Sequence, residues 1–583
     1  MANRLSLLAL GLLAVATSLF SIRSTDLFWH LASGRFMVEH LAFPRHDPFR
    51  FGAGDGLAWV DHEWLFQLLA HGIAQLGGLD GLIGLRVACV LTLAALLVVG
   101  LRRTGIGTSA AVTLSAVALI GARPRFLIRP ELVTFLALAT ELILLRRLEN
   151  PRNARRARFG LVALTVLWTN FHGLALLAPV VAGAYLLGVA LARRSDPSPR
   201  PGDGRWRQVL TTPLWLAGAM LLNPWGVEVF AVSRGITGAM SDLAAINPEW
   251  LPAWRAPQPA LFAGFAALIW LVTDTAIRFR RIHLPTGIVT GGLAILALTG
   301  VRHQALFFLS GAFLAAETLA LRRRSGGRHD AEVAAPPRRS WRAALPALFC
   351  LLLAAWCLHP PVSGLLAPRQ GRFELSGGIA PGRFPIAAAE WLARRPDLGN
   401  LYNELAHGGY LLWRLYPPRR VFLDGRMELE PTLLREIEAA RSGAESWREF
   451  LRRRGAVGAL VRYDDRTRPV FDRDPATGAL VPVGRQTPNG ALFPVALWAL
   501  VYWDDQVMLF LDRSQEPNQE FLGEEFSAIQ PEDLASTLAR AAASPDFRAR
   551  ALAEVERRLS EDPGLRRATW LRERLRALAA APP

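Results

Sequence analysis

The chain has 583 residues, of which 51% are hydrophobic, and a mean hydropathy of +0.23, too apolar for an ordinary soluble protein. Its formal charge of +17 is carried by arginine alone, and those arginines sit in short segments between apolar runs; that placement marks the cytoplasmic side of a membrane protein and argues against nucleic acid as a partner. Cys89, Cys350 and Cys357 all fall inside apolar runs, so neither a disulfide framework nor a cysteine zinc site is indicated.

Apolar runs of roughly 13–22 residues, near the length that crosses a bilayer, occur near 5–22, 81–101, 106–122, 131–146, 159–171, 173–192, 209–222, 259–277, 284–300, 304–321 and 344–359. They predict an α-helical polytopic membrane protein with about eleven transmembrane helices. The first run follows Arg4 and resembles a signal peptide, but no small-residue cleavage site follows it, so a retained span is expected. With the N-terminus inside, the arginine-rich segments 102–103, 146–158, 193–207, 278–281 and 322–342 all face the cytoplasm.

The alternate loops then face outward. The long first loop, 23–79, holds two amphipathic stretches, Asp26–Leu41 and Trp59–Leu76, suited to helices lying in the membrane interface. Beyond the last span the long apolar runs stop. Strand-like runs at Asn400–Asn403, Val421–Leu423, Val457–Val461, Trp498–Tyr502 and Val507–Leu511 alternate with helical patterns, which predicts a C-terminal extracytoplasmic α/β domain. The expected division is 1–359 transmembrane, 360–515 α/β and 516–583 a helical segment, in the inner membrane of a bacterium.

Polar residues with chemical potential gather in the outward loops. Asp26 and His30 stand four apart and share a helix face, and Asp61-His-Glu63-Trp lies further along the same loop. These suit a catalytic set of Asp26, Asp61, Glu63 and His30, with Asp26 as general base or, with Asp61, as ligand of a divalent metal, magnesium or manganese. The plainer alternative is an interfacial helix showing its polar face to water. Arg123, Arg125, Arg129 and Arg302 break the positive-inside pattern, and guanidinium groups there can bind lipid phosphates in general or hold one lipid-linked phosphate. Asn170, His172, Glu249 and His303 complete the expected substrate-binding set, although each alone could be a helix cap or a satisfied interfacial group. In the C-terminal domain, His407-Gly-Gly-Tyr410 and Val421-Phe-Leu-Asp-Gly-Arg426 read mainly as backbone signals, with Asn403, Asp424 and Arg426 as possible acceptor contacts.

An acidic residue in a long first outward loop, interfacial helices in that loop, arginine-bearing later loops and an outward C-terminal domain together resemble the GT-C superfamily of integral-membrane glycosyltransferases. The segments Asp26-Leu-Phe-Trp-His30, Trp59-Val-Asp-His-Glu-Trp64, Trp168-Thr-Asn-Phe-His-Gly173, Asn223-Pro-Trp-Gly226, Arg302-His303 and Gly408-Gly-Tyr410 with Phe422-Leu-Asp-Gly-Arg426 resemble a bacterial subgroup near that superfamily. The resemblance implies transfer of a sugar from a polyprenyl-phosphate donor to a glycan, lipid or protein acceptor, with Asp26 activating the acceptor. The Trp-Trp-Asp-Tyr-Gly signature of oligosaccharyltransferases is absent, so protein N-glycosylation is not implied. The rival readings are a non-catalytic scaffold of an envelope polysaccharide system and a lipid or glycan transporter. Transport calls for charges lining the spans, whereas the evident charges, apart from Glu141, Asp274 and Glu317 near the cytoplasmic ends, collect at the outer interface.

Overall fold

The computed structural model describes residues 2–52, 56–194, 205–231, 248–256, 258–326, 344–358, 377–464, 466–473 and 479–580. The arginine-rich stretches 195–204 and 327–342, much of the loop between 223 and 258, and the linker 359–376 lie outside them. The chain divides into two compact units: 1–24, 33–41 and 60–379 form the first, and 25–32, 42–59 and 380–583 the second.

The first unit is helical. Helices run over Ala2–Ser18, Trp64–Arg102, Thr108–Ala122, Glu131–Leu148, Pro151–Phe171, Leu177–Arg194, Arg205–Ala219, Pro259–Phe279, Leu284–Thr299, Gln304–Gly326 and Leu345–Leu358, so a helix coincides with each apolar run. By length and composition, Trp64–Arg102, Gly173–Ala192, Pro259–Phe279 and Val301–Ser325 can cross a membrane, and Ala2–Ser18, Leu284–Thr299 and Leu345–Leu358 are shorter apolar helices. Trp64–Arg102 changes direction at Gly78, whose φ of 62° ends the first segment; only a residue without a Cβ adopts that conformation readily. The expected interfacial stretch and the span after it are therefore the two arms of one broken helix.

Several charged groups of this bundle pair across helices, which offsets the cost of burying them. Arg146 pairs with Glu317, Asp274 with Arg322 at 2.6 Å, and Tyr185 donates to Glu149 at 2.6 Å. Arg86 donates to the Ser18 carbonyl at 2.6 Å and to that of Phe20, satisfying carbonyls that the end of the first helix leaves without an intrahelical partner.

The second unit is built on a four-stranded sheet in the order β1-β2-β6-β5, formed by β1 (Leu401–Asn403), β2 (Gly458–Arg462), β5 (Trp498–Trp503) and β6 (Val507–Asp512). β1 and β2 are parallel; the β2–β6 and β6–β5 pairs are antiparallel. The expected strands at 400–403, 457–461, 498–502 and 507–511 are these. The separate hairpin of β3 (Arg468–Arg473) and β4 (Leu480–Gln486) was not expected, because 468–473 alternates poorly. Val421–Leu423 is not a sheet strand. Val421 makes an isolated bridge with Arg50, while Asn403 takes over the next backbone groups, accepting from Phe422 N at 2.9 Å and donating to Leu423 O at 2.8 Å. A side-chain amide that meets both a donor and an acceptor removes the drive to join a ladder.

Candidate active site

In the first unit, three short turns deliver charge to one place. Arg123–Arg125 forms a 3-10 turn after the helix Thr108–Ala122, Pro248–Trp250 forms a second and Val301–His303 a third. Glu131 opens the following helix, where its carboxylate faces the positive end of the helix dipole. Arg125 bridges two carboxylates: its Nε donates to Glu131 Oε2 at 3.1 Å and its Nη1 lies 2.7 Å from Glu249 Oε2. Arg129 Nη1 reaches the same Glu249 oxygen at 3.3 Å, while its Nε donates to Ser24 Oγ at 2.9 Å. Arg302 lies over the Trp250 ring, 4.1 Å from its centroid, a contact that orients a guanidinium without neutralising it. Burial alone would raise the Glu249 carboxyl, but Arg125 and Arg129 outweigh it and hold it well below the usual carboxylate range. Arg125 is correspondingly fixed as a cation: burial opposes its charge and the two glutamates more than offset that.

Arg123 is also buried, but its Nη2 donates to the Cys357 carbonyl at 3.2 Å, at the end of the helix Leu345–Leu358. That contact fastens a helix terminus.

A second group of the same unit surrounds Glu63. The Nε2 atoms of His62 and His172 lie 3.7 and 3.6 Å from Glu63 Oε1. His172 Nδ1 is 2.7 Å from Thr134 Oγ1, which also accepts from Trp168 Nε1 at 2.9 Å. Burial lowers the His62 imidazole to about 4; burial, followed by the nearby His62 and Arg302 charges, keeps His172 well below its ordinary value. Both rings are thus neutral at physiological pH and can exchange hydrogen bonds without adding charge. Asn170 accepts from Trp64 Nε1 at 2.8 Å and donates to Leu222 O at 2.9 Å, tying three chain segments together. Asp61 accepts from Gln67 Nε2 at 2.5 Å.

Asp26 and His30 belong to the second unit. Asp26 precedes the helix Leu27–His40, and the His30 N–H bonds back to its carbonyl at 3.3 Å. His30 is buried, its ring 3.7 Å from that of Trp29. The Asp-Gly-Arg turn packs against this helix start: a Cβ at Gly425 would fall 2.8 Å from Asp26 Oδ1 and 2.9 Å from Trp29 Nε1. Gly408 is needed for the same reason, since a Cβ there would meet the Leu423 carbonyl. Beside that turn, Arg426 pairs with Asp424 at 2.5 Å and Asp47 at 2.9 Å, and Arg50 lies 3.5 Å from Asp424. Arg50 also donates to the Arg426 carbonyl at 2.6 Å, and the Arg426 guanidinium lies 4.5 Å from the Trp59 ring centroid.

With these arrangements in view, comparison with solved structures is decisive for the fold. The oligosaccharyltransferase AglB from Archaeoglobus fulgidus, in complex with an inhibitory peptide and a dolichol-phosphate, matches with a TM-score of 0.54 at 11% identity, over 95% of this chain and 85% of that one. The form of the Archaeoglobus enzyme tethered to an acceptor peptide matches at 0.55 and 11%, over 96% and 85%. The form in complex with zinc and sulfate matches at 0.51 and 12%, over 94% and 85%. The chain has the GT-C fold. No protein-family model matches its sequence, and no curated protein does.

The GT-C expectation placed catalytic and binding residues in the outward loops. The fold brings Arg125, Arg129, Glu249 and Arg302 into one cluster and joins Glu63 to His172, while Asp26 and His30 sit with the second unit. His303 follows Arg302 in its turn. Among the described residues, no group of three or more histidine, cysteine, aspartate or glutamate side chains could hold a metal ion, and the Asp61 carboxylate is engaged by Gln67. Sequence reading missed Glu131 and Thr134, which sit inside an apolar run, and Trp250, in the loop after Glu249; all three acquire meaning only through their partners. A carboxylate two residues after Arg129, at the end of the arginine-bearing loop, was the available signal for Glu131.

Proposed function

We propose that the protein is a multi-pass inner-membrane glycosyltransferase that moves a sugar from a polyprenyl-phosphate-linked donor to a glycan, lipid or protein acceptor outside the cytoplasm. The observation that carries this reading is the cluster in which two guanidiniums, Arg125 and Arg129, pair with two carboxylates, Glu131 and Glu249, while a third guanidinium, Arg302, lies over Trp250 within electrostatic range of both carboxylates. It retains a net positive charge that suits a phosphodiester, within a fold shared with an enzyme solved with dolichol-phosphate. Guanidinium geometry favours bidentate capture of phosphate oxygens. Asp26 accepts the proton of the acceptor hydroxyl as the glycosidic bond forms and the bond from sugar to phosphate breaks, leaving polyprenyl phosphate. The charge alternation of the loops supports an extracytoplasmic C-terminal domain.

The test uses purified protein in lipid nanodiscs, polyprenyl-phosphate donors labelled in the sugar, and delipidated envelope fractions as acceptor. Transfer of label with release of polyprenyl phosphate is expected. Donor binding without turnover across sugars and acceptors would instead support the scaffold reading.

A further inference from the structure

In the first unit a groove of about 510 Å³ runs between the helices Ala2–Ser18 and Trp64–Arg102, with Leu7, Leu10 and Gly11 on one wall, Leu91 and Val98 on the other, and Arg102 at its end. Its walls are aliphatic, and Leu7 and Leu91 keep 42% and 37% of their surface. A Cβ at Gly11 meets nothing within 4 Å, so the absence of a side chain widens the groove instead of admitting a neighbouring helix. From Leu91 to Arg102 the helix rises roughly 16 Å at about 1.5 Å per residue, about half of a hydrocarbon core of ~30 Å. The groove therefore has the depth of one leaflet.

Its polar end is cationic. Arg102 is exposed and Arg103 follows it, Arg147 lies within electrostatic range of Arg103, and among the described residues no carboxylate pairs with Arg102. An apolar channel one leaflet deep that ends in a guanidinium matches an acyl chain joined to an anionic headgroup.

We propose that this groove is a binding site for an anionic glycerophospholipid, one acyl chain lying along Gly11 and Leu91 and the headgroup phosphate meeting Arg102. The inference rests on the membrane-spanning reading above, but not on sugar transfer. It assigns the lipid to the arginine-rich side of the bilayer, where a bound chain would fasten the first helix to the second arm of the broken helix.

The experiment is native mass spectrometry of the purified protein after exchange into micelles containing equal phosphatidylglycerol and phosphatidylcholine, with melting temperature measured in parallel. Wild type is expected to retain phosphatidylglycerol about fivefold over phosphatidylcholine, the effect of one interfacial arginine. Arg102→Gln should abolish the preference while keeping some chain binding, and Gly11→Trp should lose both lipids. Gly84→Leu, in open space on the same helix and outside the groove, should behave as wild type. Equal retention of the two lipids by wild type, or undiminished retention by Gly11→Trp, would overturn the proposal. Arg102 is exposed, so its variant keeps the test decisive if Gly11→Trp folds poorly, and the sugar-transfer assay separates failure here from failure of the enzymatic reading.

Discussion

In the first unit two guanidiniums pair with two carboxylates and a third, Arg302, stands beside them over Trp250, and the outer pair, Arg129 and Glu249, keeps 16% and 20% of its side-chain surface. In the second unit two guanidiniums meet two carboxylates, and Arg50, Asp47, Arg426 and Asp424 keep at most 2%. A buried charge without its partner costs several kcal/mol, so a sealed set must balance, as Arg50, Arg426, Asp47 and Asp424 do. A set with one cation in surplus suits an open position that an anion can complete. Charge count and exposure together separate a cluster that holds the fold from one suited to a ligand, whereas the presence of arginine and acid alone does not.

Removing a guanidinium from the balanced cluster should have the largest effect. Arg426→Gln leaves Asp424 and Asp47 buried with too little positive charge and should destabilise by about 3–5 kcal/mol, read by denaturant or thermal unfolding. Unfolding indistinguishable from wild type would mean the cluster is not closed.

Acid should separate the two units next, through the His62 group beside Glu63 in the first and Asp424 in the second. The folded His62 value is about 4 against an ordinary 6.5, so the unfolded chain binds more protons between those values. Stability from the neutral ring is complete above pH 6.5 and is lost as pH falls towards 4, by about 3 kcal/mol at 1.36 kcal/mol per unit. Asp424 is held below its ordinary value because, although burial opposes its charge, Arg426 and Arg50 outweigh that penalty. Its contribution is present above the unfolded carboxyl value and is lost only at lower pH. Melting temperatures from pH 7 to 4 should therefore fall in wild type and fall less in His62→Gln; equal slopes would remove His62 from the account.

Arg302→Gln should change stability little and weaken binding of a polyprenyl-phosphate donor roughly ten- to a hundredfold, measured with the donor in nanodiscs. If donor affinity is unchanged while Arg129→Gln also binds normally, the surplus cation serves another purpose. The smallest effect is expected from Trp64→Phe, which removes one hydrogen bond to Asn170 and should cost about 1 kcal/mol.

The helical frame was legible because each helix of the first unit coincides with a run of apolar residues, and the C-terminal strands because their β-branched and aromatic residues cluster. The broken helix at Gly78 was not, since a glycine within an apolar stretch signals either flexibility or close packing until its φ is known. The arginines of the loops expected to face outward were visible as violations of a charge rule, but the rule cannot separate Arg123, which fastens Cys357, from Arg125, which joins two glutamates. Asp424 and Arg426 illustrate the same limit: a turn signal in sequence becomes a sealed ion network only when Asp47 and Arg50, more than 370 positions away, fold against it.

The most direct test of the proposed chemistry is the rate of sugar transfer by Asp26→Asn, measured in nanodiscs at saturating polyprenyl-phosphate donor and matched protein levels. Asparagine keeps the shape beside Gly425 but is a poor proton acceptor, so transfer should fall about a hundredfold or more while donor affinity and melting temperature stay near wild type. Transfer at the wild-type rate would contradict the role of Asp26 as base. Wild-type rates in the Asp61→Asn and Glu63→Gln variants as well would leave the first-loop carboxylates without a part in catalysis.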